Sequence, residues 1–487
     1  MKTGEKAALA VGVLALLGVG YAIYFDHKRR SDPKFRRKLK RQRKRAEKEH
    51  KLKEDVGEMA TANIIASALA RCDDETAPTS VEGKEKYFMD QIALGESLLP
   101  RGQAAYEDAA VHFYRAFRVY PSPMELLMIL QKTLPNELFQ IVMGMMQLET
   151  LKKQEKYYEL FPPKEMNVRL AKLTEIPQAD GTKIVKRALL AAKSFKAGET
   201  IFTEKPIVSA LHPSLEGGPF CTHCLRYISP TEPSRFCSSC GDKARFCSDA
   251  CYDAAQQNYH VLLCSGTHAQ PASKTNKLFE LAKNSDEVLP VMAARFLLQT
   301  VQEEQRRVAT GEPETEYGVW EHLERLKYLE LEPTEKDLME RRVVLDVLED
   351  KVPGVGEYFT DERYMTLKGR MLYNTYGVGT SADAANVTLP SFKENTRADD
   401  KLTRIGTGLY IFSSHLTHSC EPNCAIRFVN GKQGHELSLV ALQPIAEGDQ
   451  LNITYVPAGE ANHHTERQKK LAESWRFRCA CARCTKE

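Results

Sequence analysis

The sequence predicts a multidomain chain: an N-terminal transmembrane helix, an all-α domain of short helices, and a mixed α+β domain interrupted by a zinc finger. Three observations predict it. Ala7 to Phe25 is a stretch of nineteen residues without a charge. Helical periodicity punctuated by Pro and Gly then runs from about residue 86 to 156. After Lys183 strand-like segments flank a run of eight Cys and His residues at zinc-ligand spacing between positions 221 and 264. At 487 residues the chain has material for two or three cores.

A helix rising about 1.5 Å per residue over Ala7–Phe25 roughly matches the thickness of a bilayer core. Tyr21, Tyr24 and Phe25 stand at its C-terminal edge, where aromatic rings favour the membrane interface. Asp26-His27-Lys28-Arg29-Arg30 follows in place of a small-residue cleavage pattern, so residues 1–25 are expected to be an uncleaved anchor and not a signal peptide. From Asp26 to Lys53, fifteen Lys and Arg stand against four Asp and Glu, although the whole chain carries only +3. Positive flanks stay on the cytosolic side, which leaves Met1 to Lys6 across the membrane and the bulk of the chain in the cytosol. Phe35 is the one aromatic residue interleaved in that run, so the expected partner is the lipid bilayer and no nucleic acid is expected. Residues 26–83 read as basic neck and linker: a continuing helix from Glu54 to Ala70, then an acidic stretch from Arg71 to Gly83.

Helical spacing resumes at Tyr87-Phe88-Met89, Ile92 and Leu98-Leu99, and Pro100-Arg101-Gly102 breaks it. A second helix is expected from Tyr106 to Tyr120, a third from Pro123 through Leu130, and a fourth from Pro135 to about Lys156. Short helices in antiparallel hairpins over residues 84–150 suggest a tetratricopeptide-like unit. Residues 151–168 form a charged, aromatic linker containing Phe161-Pro162-Pro163.

The stretches 86–99 (KYFMDQIALGESLL) and 120–135 (YPSPMELLMILQKTLP) resemble the small presequence receptor of the mitochondrial outer-membrane translocase, the Tom family. Anchor, basic neck and helical domain occur in that family's order over residues 1–150. The resemblance implies a mitochondrial outer-membrane location, other translocase subunits as partners, and an apolar groove for amphipathic, Arg-rich presequences. Phe88, Met89, Ile92, Leu126, Ile129, Leu130 and Thr133 match its groove positions, and Glu96 matches an acidic position suited to presequence arginines. Ala93 and Ser122 replace polar residues of the family.

The run in the second half is Cys221-x2-Cys224, Cys237-x2-Cys240, Cys247-x3-Cys251 and His260-x3-Cys264. Each pair can supply two corners of a zinc tetrahedron, so eight ligands make two closed, structural sites. Of thirteen cysteines, seven lie in this run, three are Cys479, Cys481 and Cys484, and Cys420 and Cys424 stand together. That clustering fits thiolates held by metal in a reducing cytosol better than a disulfide framework.

Around the run, Ile184 to Ala192 reads as a strand, Lys196 to Glu199 as a turn, and Thr200 to Phe202 as the start of another strand. Residues 270–352 form a helical insertion by periodicity, and strands and loops are expected again after Pro353. Four stretches resemble the SET-domain protein lysine methyltransferases of the MYND-containing SMYD type: the zinc run, His418-Ser419-Cys420-Glu421-Pro422-Asn423-Cys424, Gly448 to Tyr455, and Trp475-Arg476-Phe477-Arg478-Cys479-x-Cys481-x2-Cys484. The resemblance implies a SET domain over 169–487, with a MYND finger at 221–264 and a cysteine tail at 475–487. It pairs Cys221, Cys224, Cys247 and Cys251 on one zinc, and Cys237, Cys240, His260 and Cys264 on a second. Cys420, Cys479, Cys481 and Cys484 would hold a third, with Cys424 a spare thiol. It also implies S-adenosylmethionine as cofactor and a lysine-containing protein as substrate. Tyr455 matches the catalytic tyrosine, Asn374 and His418 match cofactor contacts, and Phe477 matches the aromatic cover.

Two departures bear on function. Lys186 and Ala188 occupy the positions where the family has glycines that let backbone approach the cofactor. Thr417 replaces the family's Asn, removing a carboxamide and with it one or two hydrogen bonds of about 0.5–1.5 kcal/mol each. The expected function is therefore a presequence receptor fused to a MYND-SET module of reduced methyltransferase activity. A membrane-tethered lysine methyltransferase is the alternative, and a zinc-stabilised adaptor the third reading.

Overall fold

The computed structural model describes residues 62–78, 80–120, 123–177, 183–266, 273–310, 317–352, 354–357, 359–380, 403–428, 434–456 and 463–486. The expected anchor Ala7–Phe25 and the neck through position 61 lie outside the described residues. Among those residues no helix is long and apolar enough to cross a membrane. The chain divides into two compact units, Met1–Lys156 and Tyr157–Glu487.

The first unit is helical. Helix α1 covers 62–72, α2 Val81–Leu98, α3 Tyr106–Val119, α4 Pro123–Thr133 and α5 Asn136–Leu160. The break between α2 and α3 is a 3₁₀ stretch, Leu99–Ala105, where Gly102 takes a positive φ of 69° that a side chain would disfavour. Helix α2 starts inside the expected acidic linker, because Ser80 caps it: its Oγ accepts from the Gly83 amide at 3.1 Å. The acids of that linker are tied down as well, Asp73 to Arg118 at 2.8 Å and Glu75 to Arg115. Leu126 and Leu130 of α4, Leu134 of the turn after it, and Leu138 and Val142 of α5 meet Ala109, Ala110 and Phe113 of α3 in one buried cluster. Gly95 lets α2 approach α3 closely, since a Cβ there would sit 2.9 Å from the Phe113 ring.

The second unit is α+β. Strands β1 (Val168–Pro177) and β2 (Lys183–Ala191) form an antiparallel hairpin. The sequence reading missed β1, and its register explains why. The pairing slips between Lys172 and Thr174, so Leu173 bulges out and the alternation of apolar residues is lost at mid-strand. Strands β3 (Thr200–Glu204), β10 (Cys424–Phe428) and β11 (Leu437–Ala441) make one sheet in the order β10-β11-β3; β4 (Val208–Leu211), β7 (Thr375–Thr380) and β8 (Thr403–Leu409) make another, β4-β8-β7. The short strands β9 (Thr417–His418) and β12 (Asn452–Ile453) pair in parallel. The finger contributes the hairpin β5 (Arg235–Cys237) and β6 (Gly241–Phe246), then α6 (Asp249–Ala255).

Helices α7 (Lys274–Ser285), α8 (Leu289–Thr310), α9 (Val319–Glu324) and α10 (Glu335–Glu349) fill the expected helical insertion. Where strands and loops were expected after Pro353, the chain instead forms α11, Asp361–Asn374. Thr360 caps this helix by accepting from the Arg363 amide, and Tyr364, Leu367 and Met371 place an apolar stripe at helical spacing against the core. Lys368 of α11 is buried between Asp337 at 2.6 Å and Glu340 at 2.5 Å of α10, which fixes the helix in place. The last helices are α12 (His464–Trp475) and α13 (Ala482–Lys486).

Candidate functional site

Three Cys/His sets converge, each with its donor atoms within 4.8 Å of one another: Cys221, Cys224, Cys247 and Cys251; Cys237, Cys240, His260 and Cys264; and Cys420, Cys479, Cys481 and Cys484. Local structure aims them. Ser248 caps α6 by accepting from the Cys251 amide at 3.2 Å, and a π-turn, Gln256–His260, delivers the imidazole. In the first set Cys224 and Cys247 sulfurs are 3.6 Å apart and Cys247 and Cys251 3.5 Å. In the second, Cys237 and Cys264 are 3.8 Å apart, and Cys240 Sγ is 3.6 Å from His260 Nε2. In the third, Cys420 is 3.5 Å from Cys484 and 3.9 Å from Cys479. A disulfide would bring sulfurs to about 2.05 Å. A zinc tetrahedron with bonds of about 2.3 Å has edges of about 3.8 Å, which is the spacing seen. The residues therefore fit zinc. Burial disfavours charge on Cys481, but the backbone N–H groups of Cys484 and Cys420 hold its thiol down at about 6. Cys424, outside the sets, is pushed up to about 12 by burial.

The third set adjoins the aromatic residues matched to the methyltransferase cleft. The Tyr455 ring lies 5.3 Å from His418, 6.1 Å from Phe477 and 5.3 Å from Trp475. The Tyr455 hydroxyl donates to Leu416 O at 2.6 Å, and its amide donates to His418 Nδ1 at 3.0 Å. That bond makes Nδ1 the lone-pair nitrogen, so Nε2 carries the proton toward Cys420 Sγ at 3.3 Å. With both nitrogens so engaged, the His418 ring braces Tyr455 against the third metal set. Asn374 is fully buried at the end of α11; its Nδ2 donates to Lys327 O at 2.6 Å and Arg370 O at 2.8 Å, while its Oδ1 has no partner. The Oδ1 atom is enclosed by protein, so nothing reaches it in this arrangement.

The departures behave differently. The Thr417 hydroxyl is saturated: it donates to Asn452 Oδ1 and accepts from Gln450 Nε2, both at 2.7 Å. Lys186 is exposed on β2, whereas Ala188 is fully buried, so its methyl lies among protein atoms. Sequence reasoning quoted Trp475 within a motif without giving it a role, and missed Glu204. Trp475 packs on Tyr455 and donates from Nε1 to Tyr373 O at 3.2 Å. Glu204, buried in β3, accepts from the Phe412 amide at 2.7 Å, the Ser413 amide at 2.9 Å and Ser413 Oγ at 2.7 Å, fixing the turn before Leu416. The signal available was its register: Ile201, Phe202 and Glu204 are the buried positions of β3.

In the helical unit the seven expected groove residues separate by burial. Met89 is 61% and Ile129 51% exposed, and Thr133 is exposed with its hydroxyl bonded to Ile129 O at 2.9 Å. Phe88 and Ile92 are half-buried against the helical core. Leu126 and Leu130 belong to that core itself, with Leu130 only 3% exposed. Met128, which the sequence reading passed over, is exposed beside Ile129.

The family described as MAS20 protein import receptor matches residues 8–159, and the SET domain family matches residues 186–456. The chain is 38% identical over 143 residues to "Mitochondrial import receptor subunit TOM20 homolog B" of Danio rerio, covering 29% of this chain and 85% of that protein. It is 27% identical over 364 residues to "Protein-lysine N-trimethyltransferase SMYD5" of Mus musculus, covering 62% of this chain and 84% of that protein. The Gallus gallus protein of the same name is 26% identical over 365 residues. The chain thus belongs to the SET-domain family in its C-terminal part and to the MAS20 import-receptor family in its N-terminal part.

Proposed function

We propose that the chain is a mitochondrial outer-membrane receptor for amphipathic, arginine-bearing presequences, joined to a zinc-braced MYND-SET module whose S-adenosylmethionine site is weakened. Ala7–Phe25 would anchor it in a single pass with the bulk in the cytosol, beside other translocase subunits. The domain limits we propose are 84–150 for the receptor and 169–487 for the SET region. The observation that carries the receptor reading is exposed apolar surface at Met89 and Ile129, in the part similar to the import-receptor relative. An amphipathic helix would bury that surface, with Glu96 near its cationic side. Each residue replaced by Ser would lose on the order of 1 kcal/mol of apolar burial at roughly 25 cal/mol per Å². Titrating the full chain in detergent with a labelled amphipathic, arginine-bearing peptide tests this. Met89→Ser and Ile129→Ser should each weaken binding about five-fold. Unchanged binding in both would remove the groove.

The enzyme reading keeps support from Tyr455, Asn374, His418 and Phe477. S-adenosylmethionine, when bound, supplies an electrophilic methyl group. Tyr455, its hydroxyl directed at Leu416 O, would orient a neutral lysine amine, and the Trp475 and Phe477 rings would exclude water. Thr417, with its hydroxyl saturated and no carboxamide, offers the cofactor less than Asn would.

A further inference from the structure

A cavity of about 320 Å³ opens where the finger meets α7 and α8, between Tyr259 and Ser265 of the finger segment, Lys243 of β6, Lys283 of α7, Arg295 of α8, and Glu216. Arg295 dominates it. Its side chain is 2% exposed, which is rare for an arginine without a counter-ion. Nη1 donates to Ser209 O at 2.8 Å and Thr222 O at 3.3 Å, and the guanidinium lies 4.6 Å from the Tyr259 ring centroid. Nε is buried with no hydrogen-bond partner, and among the described residues no carboxylate pairs with the group. A buried charge left this way projects a strong positive potential into the adjoining cavity, because little solvent screens it. Lys243 and Lys283 add to that potential. Against them, burial pushes the Glu216 carboxyl up to about 7 even though Arg295, Lys243 and Lys283 all act to lower it. Glu280 and Lys283 are both exposed on α7, so solvent screens the two charges alike, and the buried Arg295 carries most of the potential. The adjoining second metal set, three thiolates and one imidazole, would carry a net charge of −1 on Zn2+, which opposes the three cations.

We propose that this cavity binds a phosphate-class oxyanion, with Arg295, Lys243 and Lys283 as its cationic wall, at the seam between finger and SET core. The site is independent of the methyltransferase cleft and of the receptor face. Arg295 also ties two backbone carbonyls together, so replacing it risks the fold; the two lysines do not carry that burden. The test is calorimetry on the full chain in detergent and phosphate-free buffer, with inorganic phosphate and, separately, O-phosphoserine. Saturable one-to-one binding is expected. It should weaken about ten-fold in the Lys243→Ala/Lys283→Ala double variant and tighten in Glu216→Gln, which removes a like charge. Tighter binding of phosphoserine would assign the anion to a modified peptide; equal or tighter binding of phosphate would assign it to the free ion. Absence of saturable binding by either up to about 10 mM, or indifference to both sets of substitutions, would overturn the proposal.

Discussion

Removal of zinc is expected to unfold residues 157–487 and to leave the helices of residues 62–156 in place. The sulfurs of each set stand at zinc-tetrahedron spacing, and the ligands Cys221, Cys224, Cys237, Cys240 and Cys251 are themselves part of the core that the finger shares with the helices after it. Structural zinc sites contribute about 10–16 kcal/mol near pH 7, comparable to the whole stability of a domain. The third set closes the C-terminal tail onto Cys420, and through His418 onto Tyr455, so its loss should loosen the aromatic cleft as well. Metal analysis should return three zinc ions per chain, falling to two in Cys481→Ser, with chelator-induced loss of structure confined to the second unit by limited proteolysis. Two ions, unchanged by Cys481→Ser, would eliminate the third site. Acid works in the same direction, because protons compete with zinc for the thiolates, so the same loss of structure is expected as the pH falls.

Leu130→Ser is expected to unfold the helical unit, whereas Ile129→Ser, one residue away, is expected to leave it folded. Leu130 is 3% exposed and packs with Leu126, Leu134 and Phe113. Truncating a buried leucine costs about 2–5 kcal/mol, and a buried hydroxyl without a partner adds about 1–3 kcal/mol. A small helical unit has about 5–15 kcal/mol in total. Ile129 is 51% exposed, so its replacement removes surface and little packing. Thermal melts of the two variants separate core from face. An unchanged midpoint in Leu130→Ser would place that side chain at the surface and restore it as a direct peptide contact.

The sequence made much of this legible because spacing is physical information. The C-x2-C pairs, the prolines that start α4 and α5, and the Pro-Arg-Gly break after α2 each constrain backbone locally, and each appears where local chemistry puts it. What it hid depends on tertiary context. The bulge at Leu173 erased the period of β1, and α11 lies where the reading turned to strands too early, although Thr360 and the Tyr364, Leu367, Met371 stripe announced a helix. Burial decided the rest. Periodicity could not tell Ile129 from Leu130, nor show that the Ala188 methyl lies inside the protein while Lys186 reaches solvent. Nor could it show that the His418 ring is used up as a brace between Tyr455 and Cys420.

The receptor account and the methyltransferase alternative part most directly over cofactor affinity. Calorimetric titration of the full chain in detergent with S-adenosylmethionine measures it. The account expects weak or absent binding, because the Thr417 hydroxyl is already bonded to Asn452 and Gln450 and Lys186 is proposed to replace a glycine of the cofactor site. Lys186→Gly with Thr417→Asn should then recover affinity; Ala188 is left unchanged because it is buried. Micromolar binding by the unaltered chain, about −8 kcal/mol, would contradict the account and establish the cleft as a working cofactor site.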